Sequence, residues 1–101
     1  MAYIGKVEIS NNWTKLEDLI KAQVTGQSAF AFDTDKKYQI QTESDWGAHL
    51  CEVASEPTDA NEGFEIEGTQ AAHYQPTDAK ALYVKTSHGN YGLLKIGVMG
   101  E

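Results

Sequence analysis

Apolar and polar residues alternate with a period of two over much of the chain, most regularly near its end. In Ala81-Leu82-Tyr83-Val84-Lys85-Thr86, Leu82 and Val84 fall on one face and Tyr83 and Lys85 on the other. In Leu93-Leu94-Lys95-Ile96-Gly97-Val98-Met99, the residues Leu94, Ile96 and Val98 oppose Leu93 and Lys95. A period of two is the strand repeat, because successive side chains leave opposite faces of an extended backbone. With Ser87-His88-Gly89-Asn90 between them, the two runs predict a β-hairpin with one face on a core and one in water.

Earlier segments extend the pattern. Tyr3 to Ile9 predicts an edge strand with Tyr3, Val7 and Ile9 on one side and Lys6 and Glu8 on the other, ended by Ser10-Asn11-Asn12. The period then changes. Trp13, Leu16 and Ile20, with Leu19 beside them, repeat at helical spacing and predict a short helix. Thr14 to Glu17 has the spacing of a capping box, with Asn12 as a competing cap, and Trp13 falls on the apolar stripe that faces the core. Ala29-Phe30-Ala31-Phe32 and Lys37 to Thr42, joined by Asp33-Thr34-Asp35-Lys36, predict a second hairpin. Ala48 to Ala54 is a strand apolar on both faces, Leu50 on one and Cys51 and Val53 on the other. Glu56 to Gly63 predicts an exposed loop, whose closing glycine precedes a strand at Phe64-Glu65-Ile66. Ala71 to Tyr74 is a further short strand. Turn signals recur roughly every eight to twelve residues, the rhythm of an all-β fold. The expected architecture is an antiparallel β-sandwich or jelly-roll-like small domain with one short N-terminal helix, residues 1–101 forming a single domain.

Composition narrows the class. A hydrophobic content of 41% in 101 residues, with aromatics along the whole length, argues for a folded chain rather than a disordered one. The net charge is −7, the basic residues are all lysine, and no Lys or Arg occurs between Glu43 and Glu67. Phosphate and guanine recognition favours the planar fork of arginine, so a direct nucleic-acid role is not expected. The acidic block suits a solvated face or contact with a basic partner surface. The single Cys51 excludes an internal disulfide, which fits synthesis in a reducing cytoplasm. No apolar run approaches the roughly 18 residues of a membrane span, so no membrane partner is expected.

Candidate chemistry is sparse. His49-x-Cys51 sets two donor side chains on one strand face, and His73 and His88 complete the set of histidines, but the paired spacings that mark zinc sites do not occur. Asp33-x-Asp35 opens like a calcium loop and is continued by Lys36-Lys37, which suits a turn. Cys51 has no neighbouring cation to activate it and reads as a buried, inert thiol. Phosphate-cradling and dinucleotide glycine patterns and the nucleophile-elbow motif do not occur either. No catalytic, metal or cofactor-binding residue is therefore expected, and the protein is expected not to be an enzyme. Trp46, in the polar turn Ser44-Asp45-Trp46-Gly47, invites a role as an interface anchor or sugar-stacking ring. Together with Glu56, Asp59 and Glu62 of the acidic loop, it makes up the expected partner-contact surface.

Tyr38-Gln39-Ile40-Gln41, the strand ending Glu52-Val53-Ala54-Ser55-Glu56-Pro57, the Gly63 that reopens a strand, and Leu82-Tyr83-Val84-Lys85 with the C-terminal strand span most of Lys37 to Met99. In these phrases the sequence resembles small virion structural proteins of tailed bacteriophages, namely capsid decoration (cement) proteins and the compact β-domains at the base of head fibres. The resemblance offers no catalytic residue. It implies a protein made in the host cytoplasm and carried on the virion, bound to the major capsid protein or another virion protein and stabilising the shell. It also implies a homo-oligomer, often a trimer at local symmetry axes. Two other uses suit the same residues: a carbohydrate-binding or host-adsorption module of a phage fibre, stacking sugars on Trp46, Tyr74 and Tyr91, and an acidic inhibitor that mimics nucleic acid through the Glu43 to Glu67 block.

Overall fold

Extended segments form where the alternation is found, and their pairing follows a nested scheme. The computed structural model describes residues 2–43, 47–59, 62–67 and 70–100. Among these, the elements are β1 (Ala2–Ile9), β2 (Thr14–Lys15), α1 (Leu16–Gln23), β3 (Tyr38–Thr42), β4 (Ala48–Val53), β5 (Phe64–Ile66), β6 (Ala71–Tyr74), β7 (Ala81–Thr86) and β8 (Gly92–Val98). β1 pairs with β8, β2 with β7, β3 with β6 and β4 with β5, always antiparallel. Such a chain is one long antiparallel ribbon, doubled back between β4 and β5. Rolling the ribbon sets β8 beside β3 and β7 beside β4. Two four-stranded sheets result, ordered β1-β8-β3-β6 and β2-β7-β4-β5. This is the strand order of an eight-stranded jelly roll, and the all-β expectation holds in its more specific form.

The inner faces meet in one core. Val7, Ile9, Ile40, Leu94 and Ile96 come from the first sheet, and Ala48, Leu50, Ile66, Leu82 and Val84 from the second. Ile40 and Ile96 stand in register on neighbouring strands, both fully buried. Burial of each such side chain is worth about 1.5–3 kcal/mol relative to exposure. α1 adds Leu16 and Ile20, one turn apart and also fully buried, and so packs over the side where β1 and β2 end the two sheets. Glu17 and Asp18 in its first turn and Lys21 in its last complement the helix dipole. The predicted capping box does not form. Thr14 is drawn into β2 opposite Val84, the N-cap position falls on Lys15, and the Glu17 carboxylate instead accepts the Phe32 backbone N–H at 3.0 Å.

Three local expectations are corrected by the same topology. β7 and β8 do not form a hairpin, because β7 lies between β2 and β4 in one sheet and β8 between β1 and β3 in the other. The 87–91 link therefore arches across the core from one sheet to the other. Ala29–Phe32 is not a strand, since both edges of β3 are already taken by β8 and β6. Phe30 and Phe32 close one end of the sandwich instead, in edge-to-face contacts that run from Phe30 to Phe32 and from Phe32 to Tyr38 and Tyr74, at centroid distances of 5.0, 4.8 and 5.3 Å. Tyr3 does not share the inner face with Val7 and Ile9. A register shift between Tyr3 and Gly5 inserts one residue and turns the ring outward, where it is 59% exposed.

Candidate interaction surface

The outer face of the second sheet carries His49 and Cys51 from β4 and Tyr83 and Lys85 from β7, paired across the strands. Alternation places Tyr83 and Lys85 in water, yet both are buried. Over Lys85 the cover is Trp13, which is itself tied to the loop between β4 and β5. Trp13 precedes β2 rather than joining the helical stripe, which corrects its assignment to the core. Its ring meets His49 edge-on at 6.4 Å, the Lys85 ammonium lies 5.8 Å from the ring centroid, and its indole N–H donates to the Asp59 carbonyl at 3.0 Å. Lys85 Nζ also donates to the Thr86 carbonyl at 3.0 Å, so its buried charge is hydrogen-bonded. Burial pushes the Cys51 thiol pKa up, and the negative charge of Glu62 adds to the shift.

Of the residues expected to contact a partner, Asp59 and Glu62 are brought together on this loop, Glu56 lies earlier on it, and Trp46 lies outside the described residues. Glu56 and Asp59 are exposed, whereas Pro57 between them is buried and anchors the loop. Glu62 is partly spent on the fold: its Oε1 accepts the Asp59 N–H at 3.2 Å, and its own N–H donates to the Asp59 carbonyl at 3.3 Å. Asp59 and Glu62 are thus tied to each other just before β5. Next to it, Glu65 Oε2 lies 3.9 Å from Nε2 of both His49 and His88.

The two long sides of the sandwich differ. Where β1 and β2 end the sheets, α1 covers the core. Where β5 and β6 end them, a mainly apolar cleft of about 410 Å³ lies open, lined by Leu50, Phe64, Ala72, Tyr74 and Leu82, with Glu52, His73 and Gln75 as its polar members. Phe64 shares a strand face with the buried Ile66, but its ring is 81% exposed. Among the described residues, this three-residue edge strand has no outer neighbour to cover it. The sequence pattern predicts a strand at Phe64-Glu65-Ile66 and carries no sign that the face shared by Phe64 and Ile66 is open at Phe64. Within the cleft, Glu52 Oε2 accepts both the Tyr74 hydroxyl and the Thr77 N–H at 3.0 Å. Burial first, then the hydrogen bond of the phenol to the Glu52 carboxylate and the charge of that group, raise the Tyr74 pKa well above its ordinary value.

Other groups do not converge. Tyr74 pairs with Tyr38, which pairs with Val98 at one end of β8, whereas Tyr91 adjoins Gly92 at the other. The separation is roughly 20 Å along the strands, so these two rings do not form one stacking platform. A polar depression of about 440 Å³ between α1 and the 74–82 segment holds Lys15, Lys21 and Lys80 with Glu17, Asp18 and Asp78. Lys21 there is already shared between Glu17 and Asp18 at 3.6 and 4.0 Å. Among the described residues, no three His, Cys, Asp or Glu side chains are grouped to hold a metal ion. No protein-family model, curated protein or solved structure matches the chain.

Proposed function

We propose that this protein is a non-enzymatic virion component of a bacteriophage, a decoration protein that binds the outer surface of the assembled capsid and stabilises the shell. The observation that carries the reading is the open side of the sandwich, where Phe64 stands 81% exposed at the mouth of an apolar cleft, next to an anchored acidic loop. A large exposed ring beside an apolar recess with a polar rim has the make-up of a protein-interface anchor. Jelly rolls recur in viral shells and in lectins, which suits the class without selecting the function. Adherence to a shell needs complementary surface and many copies, not a reaction centre.

The mechanism is linkage. A protein that binds the closed shell and not the dissociated subunits lowers the free energy of the assembled state in proportion to the logarithm of its concentration over its dissociation constant. The partner is the major capsid protein or a neighbouring virion protein, and association into trimers at local symmetry axes would multiply the attachment. The test mixes purified protein with undecorated expanded shells. Saturable occupancy at fixed stoichiometry, with raised resistance of the shells to heat or chelator, is the expected result. Failure to bind any expanded shell overturns the reading.

A further inference from the structure

We infer that the partner docks by adding an extended segment to the outer edge of β5, a segment in which apolar residues alternate with basic ones. The inference rests on the reading above only for which protein supplies that segment. β5 ends the second sheet, and β6 ends the first on the same side. The end of β5 is tied to the start of β6 by Glu67 and Gln70, the Gln70 N–H donating to the Glu67 carbonyl and the Gln70 side chain accepting the Glu67 N–H, both at 3.1 Å. Among the described residues, the rest of the gap between them lies open. Edge strands present unpaired backbone groups, and strand addition is the common way in which a partner uses them.

The chemistry of the occupant follows from the register. Phe64 and Ile66 lie on the face of β5 that continues the core, beside Leu50 and Ala48, and Glu65 lies on the opposite face beside His49. A strand laid against β5 would continue both surfaces with a period of two. Its inward residues would enter the cleft among Leu50, Phe64, Ala72 and Leu82 and must be apolar. Its outward residues would stand near Glu65, beside the acidic loop and within the 43–67 stretch that contains no Lys or Arg, and must be basic. A second copy of this chain is the wrong occupant. A self-complementary contact brings each patch against itself, so it would set Glu65 edge against Glu65 edge between two molecules each of net charge −7.

The experiment titrates the full-length protein with a short synthetic peptide of alternating valine and lysine, following backbone amide shifts and hydrogen exchange. The controls are a serine–lysine peptide of equal charge and an N-methylated valine–lysine peptide that cannot extend a sheet. Expected are shifts and exchange protection at residues 64–66 and 71–74, with binding weakened about tenfold by Phe64→Ser and by either control peptide. Phe64 is largely exposed, so this variant should fold as the parent does; Glu65→Lys gives a second check, by lowering affinity for the lysine peptide. Absence of binding, equal binding of the serine–lysine peptide, indifference to Phe64→Ser, or self-association of the free protein through this edge each overturns the proposal. Undecorated shells separate it from the functional reading. Shell binding that ignores Phe64→Ser defeats the docking mode alone. Peptide binding without shell binding defeats the decoration reading alone.

Discussion

Lys6 and Lys95 stand directly opposite one another across β1 and β8, and the Glu43 carboxylate bridges them, with Oε2 2.9 Å from the Lys6 ammonium and Oε1 3.2 Å from that of Lys95. Like charges facing each other on a sheet are destabilising. One carboxylate turns this pair into a three-charge network on the outer face of the first sheet. Hydrogen bonds from Lys6 and then Lys95 hold the Glu43 carboxyl below its ordinary pKa, and the bond to Glu43 raises the ammonium of Lys6.

Glu43→Gln should therefore lower the melting temperature, and more at low salt than at high salt, because the pair is open to solvent and screened. The pH dependence follows from the signs of the two shifts. A depressed carboxyl contributes stability that is fully present above its unfolded value of 4.5 and lost as pH falls below it. The raised Lys6 contributes below its unfolded value of 10.5 and loses that contribution as pH climbs through its higher folded value. Melting curves of parent and variant should converge in acid and in high salt. A gap constant across pH and salt would exclude the electrostatic account.

Gly63 opens β5 with φ +80°, and a Cβ there would collide with the Leu50 carbonyl oxygen and come within 2.9 Å of the Cys51 Cβ. Gly26 has nearly the same φ, +84°, with nothing within 4 Å of its added Cβ. The pair separates backbone strain from steric clash. Gly26→Ala should cost about 1 kcal/mol, the penalty of a left-handed L-residue, and Gly63→Ala about 3 kcal/mol or more, because the neighbouring strand must also move. Urea denaturation midpoints at unchanged m-value measure both. Equal losses at the two sites would show that the Leu50 approach is relieved without cost.

What can be read along the chain is what depends on near neighbours. The inward faces of β3 and β8, the Leu16–Ile20 stripe of α1 and the glycine before β5 all follow from local spacing and lie where that spacing puts them. Pairing does not follow, because a turn such as 87–91 reverses the chain equally well within one sheet or between two. Only the nested ladder, which needs β1 to meet β8 across the whole sequence, decides between them. The burial of Lys85 was hidden for the same reason, since Trp13, which lies over it, is fastened to Asp59, 46 residues away. The open cleft beside Phe64 could not be read either. Alternation reports the face a residue takes and not whether that face is covered.

Gln23, the last residue of α1, uses its side-chain amide as a partner strand would use its backbone. Its Oε1 accepts the Glu8 N–H at 2.7 Å, and its Nε2 donates to the Glu8 carbonyl at 3.0 Å. Both backbone groups lie on the free edge of β1, the outer strand of the first sheet. An uncovered edge is a template for pairing with another chain. Gln23→Ala should lower stability by about 1 kcal/mol and produce concentration-dependent association in sedimentation velocity. A variant that stays as the parent is at all concentrations would show that the amide contributes stability without guarding the edge.

The contact of Trp13 with the 54–63 loop should control access to Cys51. Cys51 is 7% exposed, and its thiol pKa is raised by burial and by the charge of Glu62, so thiolate and access are both scarce at neutral pH. Trp13 ties the loop down through its indole bond to the Asp59 carbonyl and packs on His49. Trp13→Ala removes both contacts and leaves in place the inward side chains of β4 and β7, Ala48, Leu50, Leu82 and Val84, which lie on the other face of the sheet. The loop should then open locally far more often than the whole protein unfolds, and labelling by a thiol-specific disulfide reagent should quicken by about tenfold or more. Trp13→Phe keeps the ring and loses the donor, so its rate should fall between the two. The decisive comparison is with global stability from denaturant titration. If labelling accelerates only in proportion to the loss of global stability, Cys51 is reached by complete unfolding and Trp13 is no local clasp; acceleration beyond that proportion assigns the opening to the loop.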